Sequence, residues 1–120
     1  MKFAAFRLAA AALALGAAQL AWAHAYPTHQ EPPAGSTVPT TQSAVTIDFD
    51  DALEPAFSSI QVADASGKSV IRDKAAVDAS NKKRMSVSLD TLSAGKYTVT
   101  WIAVAADGHR TTGHYSFTAH

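Results

Sequence analysis

The feature that most constrains this chain is an alternation of apolar and polar residues, repeated in several short segments. In the longest segment every second residue from Tyr97 to Ala103 is apolar, and threonines occupy two of the positions between them. Successive side chains of a β-strand point to opposite faces, so a period of two is typical of a strand with one buried face. We therefore predict a protein built from strands. Similar alternation is found at residues 45–49, 60–62, 85–89 and 115–117.

Residues that favour turns separate the alternating segments. Proline fixes φ and glycine accepts positive φ, so both are common where a chain reverses direction. Several short strands with this spacing are typical of an antiparallel β-sandwich or barrel. We predict an all-β, immunoglobulin-like β-sandwich with Trp101 and Phe49 in its core, and a cupredoxin-like barrel topology is the alternative. Residues 73–79 could form one helical turn.

The first 23 residues differ in composition from the rest of the chain. Two basic residues precede an apolar run at residues 8–20, and a small-x-small site follows at residues 21–23. This order is typical of a cleavable secretory signal peptide, and the run is too short to span a bilayer. We expect residues 1–23 to be a signal peptide and residues 24–120 to be one exported domain, soluble after cleavage. A retained anchor or a buried helix is the alternative.

Composition excludes several classes of protein. Ten Lys and Arg residues balance ten Asp and Glu residues, so the basic excess of a non-specific nucleic-acid binder is absent and no nucleic-acid partner is expected. The chain has no cysteine. Thiolate metal sites, disulfides and cysteine nucleophiles are therefore excluded.

Two histidine-containing segments could bind a metal ion. Cleavage after Ala23 would make His24 the first residue, and its free α-amine and imidazole would form a chelate that suits Cu(II). Asp107 and His109 flank Gly108 after the longest strand, and residues two apart in an extended segment face the same side. Together these groups would supply a square-planar set for Cu(II). Asp-Gly is also a common hairpin turn, and His109 could be an ordinary polar residue at a strand end.

Several short motifs are spread across residues 24–120. They are the histidine at the processing point, Pro-Pro-Ala-Gly-Ser at 32–36, the segment 46–55, Gly-x-Tyr-x-Val-x-Trp at 95–101, Asp-Gly-His at 107–109 and Gly-His-Tyr-Ser-Phe at 113–117. With these motifs the chain resembles the CopC family of periplasmic copper-binding proteins, which includes YobA-type members. The resemblance covers essentially the whole chain after the predicted signal peptide.

The resemblance implies a Greek-key β-sandwich that binds Cu(II) through a histidine brace, with His24, Asp107 and His109 as ligands. An acidic residue after the phenylalanine of the early strand lies near the site in some members; Asp51 is the best match here, and Asp50 is its neighbour. The resemblance also implies a copper carrier or buffer in copper resistance or homeostasis. Such a protein could deliver copper to a CopD-like inner-membrane transporter, and we expect it to be a monomer.

Two departures from the family pattern affect the expected chemistry. Some members carry a methionine-rich loop for Cu(I), whereas Met85 is the only methionine after residue 23 and lies inside an alternating strand. A Cu(I) site of that type is therefore not expected, because a soft ion prefers thioether sulfur. Arg110 stands where the family usually has proline, which alters the rigidity and charge of the loop but removes no ligand.

Two other functions are compatible with these residues. A histidine-brace copper oxidase resembling lytic polysaccharide monooxygenases would also begin with histidine, and a metal-free sandwich could serve in adhesion or assembly. Four protein ligands leave little room for a substrate, so we expect a binding protein and not an enzyme. The other polar candidates are expected to be exposed or structural: His29, His114, His120 and the basic run at residues 82–84.

Overall fold

The computed structural model describes residues 24–120, and the predicted signal peptide lies outside the described residues. Eight strands form two four-stranded sheets. The strands are β1 (Pro27–Glu31), β2 (Thr37–Val38), β3 (Ala44–Phe49), β4 (Ser59–Ala63), β5 (Ala76–Val77), β6 (Arg84–Ser88), β7 (Gly95–Val104) and β8 (Arg110–Ala119). The strand order is β1-β3-β6-β5 in the first sheet and β2-β8-β7-β4 in the second.

The predicted β-sandwich is confirmed, and its core lies between the two sheets. Alternate residues of β3 and of β7 are buried, as the period of two requires. Trp101 and Phe49 are 6% and 2% exposed. Their rings make an edge-to-face contact with centroids 5.4 Å apart, a geometry that favours aromatic pairs. Within residues 24–120, no helix is long and apolar enough to cross a membrane.

Strands β7 and β8 form the longest ladder of the molecule. They pair antiparallel without interruption from Gly95 opposite Ala119 to Val104 opposite Arg110. The turn that joins them contains Asp107, Gly108 and His109. Because the hairpin is long and one of its faces is buried, it provides a rigid support for this turn.

Three segments differ from the sequence-based expectation. The predicted helical turn at residues 73–79 is wrong: this segment contains β5, which pairs with β6. β1 forms in a proline-containing arm that was expected to be a loop, and its register shifts between Pro27 and His29. β2 pairs in parallel with β8, so the sandwich is not wholly antiparallel. Each segment is short or irregular, and therefore lacks the period-two pattern that identifies a strand.

Candidate metal centre

The turn between β7 and β8 carries two of the predicted ligands. The amide of Gly108 donates a hydrogen bond to the carbonyl of Ala105 at 2.9 Å, and the amide of Ala105 donates to the carbonyl of His109 at 2.9 Å. Gly108 has a φ of 89°, a conformation in which other residues are strained. The Asp-Gly pair is therefore a hairpin turn, and this turn places Asp107 and His109 together at the end of the sandwich.

The carboxylate of Asp107 is bound to His109 through both of its oxygens. Oδ1 accepts a hydrogen bond from the backbone amide of His109 at 3.0 Å, and Oδ2 lies 2.8 Å from the imidazole Nδ1. These two bonds, first the one from the amide and then the one from the ring, hold the pKa of Asp107 below its usual value, and His24 lowers it slightly further. The carboxylate is therefore ionised over a wide pH range and available to a cation.

The chain that follows His24 is held firmly by the rest of the protein. Ala25 is fully buried, and its carbonyl accepts a hydrogen bond of 2.6 Å from the hydroxyl of Thr111. The amide of Tyr26 donates to Oδ1 of Asp50 at 2.8 Å, and the amide of Asp50 donates to the carbonyl of Tyr26 at 3.0 Å. These bonds fix the backbone immediately after the predicted terminal ligand.

His24 lies beside the β7–β8 turn. Its ring centroid is 5.1 Å from that of His109, with the two planes inclined at 53°, and 5.8 Å from the ring of Tyr26. The structure thus brings the first described residue next to a histidine from the opposite end of the chain. His24, Asp107 and His109 form one neighbourhood at the end of the sandwich.

Asp51 makes a more local contact than the other predicted ligands. Its Oδ1 accepts a hydrogen bond of 2.8 Å from the amide of Ala52, whereas the adjacent Asp50 binds the segment next to His24. Within residues 24–120, no three His, Asp or Glu side chains are already arranged to hold a metal ion. His24, Asp107 and His109 are therefore near one another without forming a closed coordination shell.

The chemistry of the Asp107–His109 pair fits a borderline divalent cation. Oδ2 of Asp107 and Nδ1 of His109 are 2.8 Å apart because they share a hydrogen bond. A cation held by both atoms would have to replace the proton of that bond. Imidazole nitrogen and carboxylate oxygen suit Cu(II) better than they suit soft Cu(I). The sulfur-bearing side chain of Met85 is fully buried in the core, away from solvent.

The other three histidines were predicted to be exposed or structural. His29 lies on the edge strand β1, opposite Asp48, and His114 lies on β8, opposite Thr100. Both side chains are exposed, as is that of His120. Sequence reasoning missed the contribution of Thr111, although it lies two residues after His109 and therefore shares its side of an extended chain.

Comparison with known proteins identifies the family. The family model of the CopC domain matches residues 28–120. The protein YobA of Escherichia coli K12 is 37% identical over 97 residues, which are 80% of this chain and 78% of YobA. The copper transport protein CutJ of Bacillus subtilis is 33% identical over 97 residues, which are 80% of this chain but 18% of CutJ.

Solved structures agree with the sequence matches. The crystal structure of CopC from Methylosinus trichosporium OB3b has a TM-score of 0.75 and 30% identity, covering 80% of this chain and 93% of that one. PcoC, a methionine-rich copper resistance protein from Escherichia coli, matches with a TM-score of 0.71 and 30% identity. The match covers 82% of this chain and 100% of PcoC. The molecule is a β-sandwich of the type seen in these copper resistance proteins. It belongs to the CopC family, and the resemblance inferred from its motifs is confirmed.

Proposed function

We propose that this protein binds copper in the periplasm and acts in copper resistance or homeostasis. Membership of the CopC family supports a copper-related role, since relatives are named a copper resistance protein and a copper transport protein. The observation that carries the proposal is the contact between the rings of His24 and His109, 5.1 Å apart at their centroids. Because Asp107 is hydrogen-bonded to His109, two imidazoles and one carboxylate lie near one another, which supports the proposal.

The proposed ion is Cu(II), held by a histidine brace. Cleavage of the predicted signal peptide after Ala23 would free the α-amine of His24, which with its imidazole forms a chelate. The imidazole of His109 and the carboxylate of Asp107 would complete a square-planar set. Asp51 is proposed as an acidic group near this site. The ionised carboxylate of Asp107 would offset part of the charge of the ion.

We assign the protein the role of a copper carrier or buffer rather than of an enzyme. A site filled by four protein donors leaves no open position for a substrate, whereas catalytic metal sites keep one. Delivery to a CopD-like transporter of the inner membrane follows as a proposal. It is supported by CutJ, in which the region similar to this chain is 18% of a longer copper transport protein.

The proposal is tested by comparing two forms of the N-terminus. One form begins at His24, as verified by mass spectrometry, and the other carries an additional Met-Ala-Gly-Ser-Gly-Ser before it, so that the imidazole of His24 is too far from the new terminal amine to form a chelate with it. Competition titration with Cu(II) should give an affinity several orders of magnitude lower for the extended form and for His24→Ala, because both lack the chelate of amine and imidazole. His29→Ala is the matched control and should bind as the wild type does. Equal affinity of the processed and extended forms would refute the brace.

A further inference from the structure

The segment that carries His24 is held by both sheets, although it belongs to neither. β1 begins only at Pro27, so residues 24–26 have no ladder partner in a sheet. From the second sheet, Thr111 of β8 donates its hydroxyl hydrogen to the carbonyl of Ala25. From the loop after β3 in the first sheet, Asp50 pairs with the backbone of Tyr26. We call these contacts of Thr111 and Asp50 the N-terminal clasp.

The bond from Thr111 is the stronger candidate for positioning. At 2.6 Å it is shorter than the 3.4 Å separation between the same hydroxyl and the carbonyl of Ala103. Ala25 is 0% exposed, so water has little access to replace a lost donor at this residue. A buried acceptor that loses its donor is unfavourable. Removing the hydroxyl should therefore release the segment rather than leave it in place.

Thr111 also relates the two histidines geometrically. It lies at the start of β8, two residues after His109 of the preceding turn, and it binds the residue that follows His24. The start of β8 is thus joined to the turn with one imidazole and fixes the backbone next to the other. Chain termini are poorly ordered unless they are tied down, so without this bond the position of His24 would vary.

We propose that Thr111 is a positioning residue, whose hydroxyl holds His24 against His109 before any metal is bound. Asp50 assists from the other side of the segment. The relevance of this device to copper rests on the proposed function, but the positioning itself is a property of the metal-free chain. A ligand that is held in place beforehand loses less conformational freedom when the ion binds, which raises affinity.

The first test uses the metal-free protein that begins at His24. Ring protons of His24 and His109 should give nuclear Overhauser effects in the wild type and in Thr111→Ser, which keeps the hydroxyl. They should be lost or strongly weakened in Thr111→Val, which has a similar shape but no donor. Thr112→Val alters the exposed neighbouring threonine and should behave as the wild type does. Unchanged ring contacts in Thr111→Val would overturn the proposal.

The second test measures Cu(II) affinity of the same variants by competition titration. We expect a loss of about 10-fold to 100-fold for Thr111→Val, the range known for residues that orient metal ligands, and little loss for Thr111→Ser. If the wild type binds no copper but loses its ring contact in Thr111→Val, the positioning role stands and the proposed function fails. If copper binds equally to all variants while their ring contacts are equal, the positioning role fails alone.

A third variant keeps the proposal testable if Thr111→Val does not fold. Asp50→Ala removes the acceptor of the Tyr26 amide without changing β8. It should weaken the same ring contact and lower the affinity for Cu(II), with a smaller effect on the unfolding midpoint of the metal-free protein than Thr111→Val would have. A ring contact that survives in Asp50→Ala with unchanged affinity would show that Asp50 has no part in positioning His24, contrary to the proposed clasp.

Discussion

Gly113 of β8 lies directly opposite Trp101 of β7, and the indole ring occupies the space that a side chain at position 113 would need. A Cβ built on Gly113 would lie 2.4 Å from Cζ2 of Trp101 and 2.7 Å from Cε2. The atoms in the way belong to a rigid ring, which is itself packed edge-to-face on Phe49. The close approach of backbone and indole therefore requires glycine.

Gly113→Ala should destabilise the protein by about 1–3 kcal/mol, the usual cost of forcing an extra carbon into a packed region. Either the indole or the strand must move, and both are fixed by the core. Denaturant unfolding monitored by tryptophan fluorescence measures the change. Thr112, the exposed neighbour of Gly113, serves as a control. Thr112→Ser should shift the free energy of unfolding by less than about 0.5 kcal/mol. A Gly113→Ala variant as stable as the control would contradict the assignment.

His109 and His114 should respond differently to substitution. His109→Ala should lower the affinity for Cu(II) by at least about 100-fold, because it removes a proposed ligand and leaves Asp107 without its ring partner. His114→Ala, on the exposed side of β8, should leave the affinity unchanged. Competition titration of the two variants, both processed to begin at His24, gives the comparison. Similar losses in both variants would place the copper elsewhere.

Acidification should release copper mainly through protonation of nitrogen ligands. The hydrogen bonds from His109 keep the pKa of Asp107 below its usual value, so protonation of this carboxylate is not what releases copper in mildly acidic solution. Histidine side chains take up protons as the pH falls from about 8 to about 5, and metal affinity falls with them. We expect the affinity to decrease below about pH 6. Asp107→Asn should bind less tightly at every pH, because it removes the charged oxygen donor, whereas a pH-independent affinity between 5 and 8 would contradict nitrogen ligation.

The ion pair between Asp48 and Arg84 should make a pH-dependent contribution to stability. Asp48 on β3 and Arg84 on β6 are opposite each other, with Nε 2.7 Å from Oδ1 and a second bond of 3.2 Å. The hydrogen bond from Arg84 is the main cause that lowers the pKa of Asp48 from its usual 3.8. A lowered pKa in the folded state stabilises the protein above the unfolded-state pKa, and this contribution is lost as the pH falls through the folded-state value.

Asp48→Asn should therefore be less stable than the wild type at pH 7, and the two should converge as the pH falls below about 4. Urea unfolding across this pH range measures the difference. Asp90→Asn is the control, because the Asp90–Arg72 pair is longer, 3.7 Å, and both side chains are more than half exposed, at 59% and 62%. A constant difference between Asp48→Asn and the wild type at all pH values would show that the charge of Asp48 is not its cause.

The central strands could be predicted from sequence because burial of one face requires apolar and polar residues to alternate. β7 keeps the period of two from Tyr97 to its end, and Trp101 and Phe49 occupy the core as expected. Asp107 and His109 could be proposed as candidate ligands for a similar reason, since a short Asp-Gly-His segment after a strand is a local signal. The sequences of the bulged edge strand β1 and the two-residue strand β2 do not alternate in this way, because few of their side chains are buried.

The contact between Thr111 and Ala25 could not be predicted from local pattern. Threonine is common in strands, and nothing around position 111 indicates that its hydroxyl reaches a carbonyl from the start of the described chain. Local pattern also could not distinguish the contacts of Asp50 from those of Asp51. Both follow Phe49, and only the folded backbone decides that Asp50 turns toward Tyr26 while Asp51 binds the amide of Ala52.

His24 and His109 become neighbours only when the two sheets have closed on each other. An unfolded chain would keep the chelate that a terminal His24 forms by itself, but it would not bring Asp107 and His109 to that chelate. If copper binds at these residues, as proposed, the complete set of donors is therefore assembled only in folded molecules.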